Sequence, residues 1–351
     1  MEIFDTLSEM GHEEVVMASD PSSGYRGIIA VHSTALGPAL GGTRFWNYDS
    51  DLEAITDALR LSRGMTYKNA VAGLDLGGGK SVILGDNRTQ DREAIFRAHG
   101  RFVESLGGRY ITAEDVGTGT ADMDFVHLET EHVAGLKGKS GDPSPVTAHG
   151  VFRAIQASAK HKWWSDDLSG KVVSLQGCGS VGGYLAGELH KAGAKLIVSD
   201  IDAERAARVA RETGAEIVEG DAIYGVDADI FAPCALGGIL NDNTIPMLKV
   251  AIVSGGANNQ LLEPRHGDML EERGILYAPD YVANAGGVIN VFGEVAGWDA
   301  GHALAKADEI FDTVLKVFEI ASAEGIPSYV AADRLAERRI ESVRQKWKAP
   351  R

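Results

Sequence analysis

Two lysines, Lys68 and Lys80, stand among small and apolar neighbours, the second directly after Gly77-Gly78-Gly79. A lysine in a dry pocket can give up its proton and act as a base, which a lysine on a solvated face does not readily do. Gly79-Lys80-Ser81 invites a phosphate-loop reading, but G-x-x-x-x-G-K-[ST] needs a glycine where Leu74 stands. Nucleotide triphosphate chemistry is therefore a weak alternative, and what remains is a Gly-rich loop presenting an ammonium group. Glu114-Asp115 supplies a carboxylate pair for proton transfer. The third constellation, Gly177-Cys178-Gly179-Ser180-Val181-Gly182, matches G-x-G-x-x-G, with Asp200 eighteen residues past its last glycine. Such glycines bring backbone N–H groups close to a pyrophosphate at a helix N-terminus, where the helix dipole also favours an anion. An acid at Asp200 accepts from ribose hydroxyls and repels a 2′-phosphate, so the expected cofactor is NAD.

The elements that must hold these groups follow from periodicity. Residues 25–33 read as a strand, followed by a glycine-rich loop from Leu36 to Arg44. A helix then starts with the capping-box pattern Ser50-Asp51-Leu52-Glu53. It sets Leu52, Ile55, Leu59, Ser62 and Met65 on one stripe and delivers Lys68 at its far end. A helix over 91–106 and a strand over 110–113 lead to Glu114-Asp115, just past a strand end, where ligand groups sit in open α/β sheets. Pro143-Ser144-Pro145-Val146-Thr147 opens a second unit with a helix to about residue 160. Strands at 171–176, 195–199, 229–231 and 251–253 alternate with helices, which implies a parallel doubly wound sheet. The tail over 303–347 reads as helical, with Val330, Leu335, Ile340 and Val343 facing inward.

Composition narrows the function classes. A chain of 351 residues exceeds what one core usually serves, so two domains are expected. The net charge of -16 argues against a nucleic acid or an anionic membrane surface as partner. Cys178 and Cys234 show neither metal-ligand nor disulfide spacing; no metal is expected, and a reducing cytoplasm is. No apolar run reaches the length of a membrane span. His32, His99, His149 and His266 lack ligand spacing and read as structural, and Trp163-Trp164 reads as core or subunit contact.

Taken together, Lys68, Gly77-Gly78-Gly79-Lys80, Asp115, the fingerprint and Asn284-Ala285-Gly286-Gly287 resemble the amino acid dehydrogenase superfamily of the glutamate, leucine, valine and phenylalanine enzymes. The motifs are closest to the leucine branch, and the resemblance runs nearly end to end. It is most specific at 36–44, 111–117, 230–238 and 277–287. The resemblance implies an α/β protein with two domains separated by a cleft: an N-terminal substrate and oligomerisation domain over 1–140, with helices 326–351 folding back, and a Rossmann NAD domain over 141–325. The segment 143–147 and the return near 325 would then act as hinges. It makes Lys80 the catalytic lysine, Asp115 its proton-shuttling partner and Lys68 the ligand of the substrate carboxylate. Leu40, Gly41, Met65, Gly77, Gly78, Ala113, Asn258, Asn284, Val288 and Val291 become substrate-side residues. Thr147, Cys234, Ala235, Asn259 and Asn284 join the fingerprint, Cys178, Ser180 and Val181 included, on the cofactor side. The implied reaction is NAD-dependent deamination of an L-amino acid to a 2-oxo acid and ammonia by a homo-oligomer, an octamer. Apolar Leu40, where the glutamate branch carries lysine, favours leucine, valine and isoleucine. Phenylalanine stays open as an alternative, because one methylene discriminates by only about 1–3 kcal/mol. A non-catalytic nucleotide sensor is the distant alternative.

Overall fold

The computed structural model describes residues 3–89, 91–139 and 141–348. They pack as two units, Met1–Gly141 with Val291–Gly297 and Ala336–Arg351, and Asp142–Asn290 with Trp298–Leu335. Val291–Gly297 joins the first unit because Glu294 accepts from the backbone N–H groups of Gly135 and Leu136. The last segment joins it where Arg339 donates to the carbonyls of Asn69 and Ala70.

The first unit carries α1 (Ile3–Met10), β1 (Glu14–Asp20), β2 (Tyr25–Ser33), β3 (Ala39–Trp46), α2 (Asp51–Val71), β4 (Gly77–Leu84), α3 (Arg92–Glu104), β5 (Tyr110–Glu114) and α4 (Thr120–His127). Its sheet has the order β1-β2-β4-β3-β5, with β3 parallel to both neighbours and the β1–β2 and β2–β4 pairs antiparallel. One face packs on α2 through Ile28, Ala30, Val82, Ile55 and Leu59. The other packs Tyr25, Phe45 and Ile83 against Phe96, Met123 and Val126 of α3 and α4. Each such fully buried large side chain contributes roughly 1.5–3 kcal/mol.

Several local expectations change. Both glycine-rich loops are strands: Leu40 to Arg44 lie in β3, and Gly77-Gly78-Gly79-Lys80 opens β4. The reason is packing density, since a β-carbon on Gly41 would collide with the Gly79 carbonyl and one on Gly78 with the backbone of Thr66 in α2. Leu52 points outward, so the buried stripe of α2 runs instead through Ala54, Ile55, Ala58, Leu59, Ser62 and Thr66. Ser50 caps α2 by accepting from Glu53 N–H at 3.1 Å, while the Glu53 carboxylate reaches Asp49 N–H instead of closing the box on Ser50.

The remaining elements are α5 (Ser144–Trp163), β6 (Val172–Gln176), α6 (Ser180–Lys191), β7 (Lys195–Ser199), α7 (Ala203–Thr213), β8 (Glu216–Ile217), β9 (Ile230–Pro233), β10 (Ile252–Val253), α8 (Arg265–Glu272), β11 (Leu276–Tyr277), α9 (Asp280–Ala283), α10 (Gly286–Ala296), α11 (Ala300–Asp308), α12 (Ile310–Glu324) and α13 (Ser328–Lys348). The second sheet is parallel throughout, in the order β11-β10-β9-β6-β7-β8. Chain order reverses between β6 and β9, the point where open α/β sheets take their ligands. Among the described side chains of α13 the buried positions are Ala331, Ala332, Ala336 and Ile340, which keeps Ile340 but shifts the expected stripe off Val330, Leu335 and Val343. Trp163 packs on the core of the second unit, whereas Trp164 is exposed.

Candidate active site

Strand register assembles a lysine–carboxylate pair in the first unit. Lys80 pairs with Ala30 on one side, and the β3–β4 register sets Gly42 beside it on the other, next to Ala113. With no side chain at Gly42, Lys80 reaches across the row, and its Nζ lies 2.9 Å from Oδ2 of Asp115. The Lys80 side chain is 6% exposed and that of Asp115 23%. Thr118 fixes the turn that carries Asp115, accepting from Asp115 N–H at 2.8 Å and donating to the Thr43 carbonyl at 2.9 Å.

The electrostatics of the pair follow from burial. Desolvation lowers the Lys80 amine below the usual lysine range; Asp115 opposes this and Arg44 reinforces it. Arg44 is thus a cation that assists the shift. Burial pushes the Asp115 carboxyl up, but Lys80 and Arg44 more than offset it and keep it ionised. The two groups titrate as a unit.

Lys68 stands half-buried in the last turn of α2, which is locked to the start of β4 by Asn69 Nδ2 donating to the Gly77 carbonyl at 2.5 Å. Leu40 and Ala113 are buried, Leu40 pairs with Gly78, and Met65 is half-buried on α2. Val288 and Val291 lie on α10. Arg44, Gly42 and Thr118, which shape the pair directly, were not singled out as site residues. Arg44 and Gly42 lie within the distinctive 36–44 motif, but their roles emerge only from cross-strand register.

The second unit builds a cradle that fits a dinucleotide. Gly177 leaves β6 at φ 95°, a conformation that favours glycine, and a β-carbon there would meet Cys234 and Ala235 at 2.8–2.9 Å. Gly182 packs against the Gly177 carbonyl. A β-carbon on Gly179 would instead enter open space, with Arg205 Nη1 alone nearby at 3.9 Å. That space lies over the start of α6, whose first turn has no side-chain cap, so its N–H groups can donate to a pyrophosphate. Asp200 holds the loop: Oδ2 accepts from Cys178 N–H at 2.6 Å and Oδ1 from Asp202 N–H at 2.8 Å. Both oxygens keep further lone pairs for ribose hydroxyls. The Cys178 side chain is buried, its thiol pushed up to about 11 by burial, so only its backbone lines the loop.

Further along, Thr147 Oγ1 faces Gly287 at the start of α10. Asn284 Nδ2 donates to Asn258 Oδ1 at 2.8 Å and to the Gly256 carbonyl at 3.2 Å, which fixes the amide orientation. Its Oδ1 is buried without a hydrogen-bond partner, an acceptor waiting for a donor. Asn259 adopts φ 52° and its carbonyl accepts from Gly238 N–H.

Comparison with known proteins shows the family of the chain. Residues 12–132 match the Glu/Leu/Phe/Val dehydrogenase, dimerisation domain, and residues 198–342 the Glutamate/Leucine/Phenylalanine/Valine dehydrogenase domain. The chain is 59% identical to leucine dehydrogenase of Thermoactinomyces intermedius and 57% identical to that of Geobacillus stearothermophilus, in each case over 98% of this chain and 95% of the relative. It belongs to the Glu/Leu/Phe/Val dehydrogenase family. As a member of that family it is an amino acid dehydrogenase, an oxidoreductase that uses NAD and acts on a small-molecule substrate. A solved structure of L-tryptophan dehydrogenase from Nostoc punctiforme superposes with TM-score 0.90 at 47% identity, covering 97% of this chain and 99% of that one. The family scaffold thus hosts different amino acid side chains.

Proposed function

We propose that this chain catalyses the reversible oxidative deamination of branched-chain L-amino acids, L-leucine with L-valine and L-isoleucine, to the 2-oxo acid and ammonia. The observation that carries this reading is the buried Lys80–Asp115 pair, set in a strand row whose other members are Ala30, Gly42 and Ala113, with apolar Leu40 two residues along β3. An amine and a carboxylate in contact are suited to moving protons at an amine-bearing carbon. At Leu40 nothing is charged that could hold a second carboxylate, which disfavours glutamate.

NAD, held by the Gly177–Gly182 loop and Asp200 with Asn284 Oδ1 accepting from its carboxamide, supplies the hydride acceptor when bound. Lys68 pairs with the substrate carboxylate through its ammonium group. Asp115, ionised, takes up the proton that the substrate ammonium must lose before Cα can release a hydride. Lys80 in its neutral form then removes a proton from the water that adds to the imino carbon, returns it to the nitrogen, and takes the proton of the new hydroxyl as the C–N bond breaks and ammonia departs. Water supplies the new carbonyl oxygen, and the two electrons leave with the hydride.

The same reading places the chain in the cytoplasm as a homo-octamer built through its first unit. The free Cys178 and Cys234 support the former, and the dimerisation-domain match over residues 12–132 supports self-association. Among the described residues no helix is long and apolar enough to cross a membrane. Light scattering gives the assembly mass directly.

Initial rates of NAD reduction with L-leucine, L-valine, L-isoleucine, L-phenylalanine, L-tryptophan and L-glutamate test the substrate assignment. The branched-chain substrates are expected to show the highest kcat/KM and glutamate none above background. A preference for tryptophan or glutamate would overturn it.

A further inference from the structure

Arg44 reaches the catalytic pair from β3 without belonging to it. Its Nε donates at 3.1 Å to Asp115 Oδ2, the same oxygen that Lys80 Nζ holds at 2.9 Å. Its Nη1 donates at 2.7 Å to Asp57 Oδ2 on α2. Asp57 is itself pinned, by Tyr48 OH at 2.9 Å on that oxygen and by Arg60 at 3.1 Å on the other. Arg44 and Asp57 are 22% and 15% exposed, so solvent screens this contact only weakly. The planar guanidinium thus spans two carboxylates on different elements, a geometry that a lysine ammonium cannot copy. Asp115 Oδ1 has no partner among the described residues, so both cations crowd onto one oxygen and leave the other open.

We propose that Arg44, anchored by Asp57, is the positioning residue of the Lys80–Asp115 pair: it holds Oδ2 against Lys80 and so turns Oδ1 to the amino group of the substrate. This rests on the deamination reading above. The electrostatics run the same way. Asp115, past the end of β5, favours the charged form of Lys80; Arg44 on β3 opposes it, and Asp57 on α2 partly cancels Arg44. Tyr48 and Tyr110, whose phenols are pushed up chiefly by burial, stay neutral beside these charges, and Lys68 lies further along α2. Without Arg44, Lys80 keeps its proton to higher pH.

The test uses Arg44→Gln and Arg44→Ala, with kcat and KM for L-leucine measured across pH in the deaminating direction. A cavity of about 660 Å³ opens beside Arg44, lined by Trp46, Tyr48, Asp57, Arg60 and Val116 among others. Guanidinium ion can therefore reach the place vacated in Arg44→Ala. The expected result is a kcat about 10- to 100-fold lower with KM little changed. The acidic limb of the profile should move up by roughly one pH unit, and added guanidinium below denaturing concentration should reverse both effects in Arg44→Ala. Folded variants with wild-type kcat and an unmoved limb would overturn the proposal, as would a folded Arg44→Ala that guanidinium does not rescue. Should neither variant fold, Arg44→Lys decides: it keeps the charge and loses the fork, so kcat should fall with the limb unmoved, and wild-type kcat would count against positioning. Lys80→Ala, assayed in parallel, separates the two levels. If it retains turnover the deamination mechanism itself fails, whereas an inactive Lys80→Ala beside unaffected Arg44 variants removes the positioning role alone.

Discussion

A β-carbon on Gly42 would lie 2.8 Å from Cβ of Asp115 and 2.5 Å from the Glu114 carbonyl oxygen, so one missing side chain makes the room in which Asp115 meets Lys80. Gly42→Ala should therefore force the end of β5 away from β3 and push Asp115 off Lys80. A displacement of this size is expected to lower kcat about 100-fold. Steady-state kinetics alongside circular dichroism check it, and unchanged kcat in a folded variant would show that the contact is dispensable.

The pH dependence follows from the buried amine. Burial lowers the Lys80 amine from the ordinary lysine range, with Asp115 resisting, so the neutral base accumulates on the alkaline side of neutrality. Deamination should rise with pH through that range, whereas reductive amination, which needs the protonated amine, should peak at lower pH. Initial rates in both directions from about pH 7 to 11 test this, and a deamination profile falling steadily above neutrality would contradict it.

His99 makes the fold sensitive to acid. It is buried, with Nδ1 at 2.9 Å from Tyr25 OH and Nε2 at 2.9 Å from Thr43 Oγ1, and burial lowers its pKa from 6.5 to about 3. Because the folded value lies below the unfolded one, its contribution is fully present above pH 6.5 and is lost as pH falls towards 3. His32, lowered to about 4 chiefly by burial, acts in the same direction. Thermal melting should fall progressively below about pH 6, and His99→Gln should flatten part of that slope. An identical slope in the variant would exclude His99 as a source.

Asp200 has two tasks that one substitution separates from chemistry. Its carboxylate holds the N–H groups of Cys178 and Asp202, and in the proposed cofactor role its charge would disfavour a 2′-phosphate. Asp200→Ala should raise KM for NAD about tenfold or more and shift the cofactor preference towards NADP, with kcat at saturating cofactor near that of the wild type. Equal KM values for NAD in the two proteins would remove Asp200 from the cofactor site.

What the sequence revealed depends on how local each cause is. The Gly177–Gly182 turn was legible because strand, turn and helix lie in one short stretch, and Asp200 falls at the end of the next strand. Glycine content at Gly77 to Gly79 shows that something approaches the backbone without showing what, so a strand there looks like a loop; here it is the Ser33 carbonyl, Thr66 and the ring of Tyr110. Leu52 fits the helical stripe by type, yet it is exposed, and Ala54 and Ile55 are the residues of that turn that pack into the core. Lys80 and Asp115 could be paired only through family resemblance, since their contact spans two strands. The Arg44–Asp57 bridge carries no sequence signature at all and exists only once β3 lies beside α2.

Turnover of Lys80→Ala with L-leucine and NAD tests the central claim most directly, provided NAD binding is titrated in the same preparation. The account expects kcat to fall about 10²- to 10⁴-fold, the span a positioned acid–base group contributes, with NAD affinity unchanged, because the Gly177 cradle is built from other residues. Near wild-type turnover in that variant would contradict it.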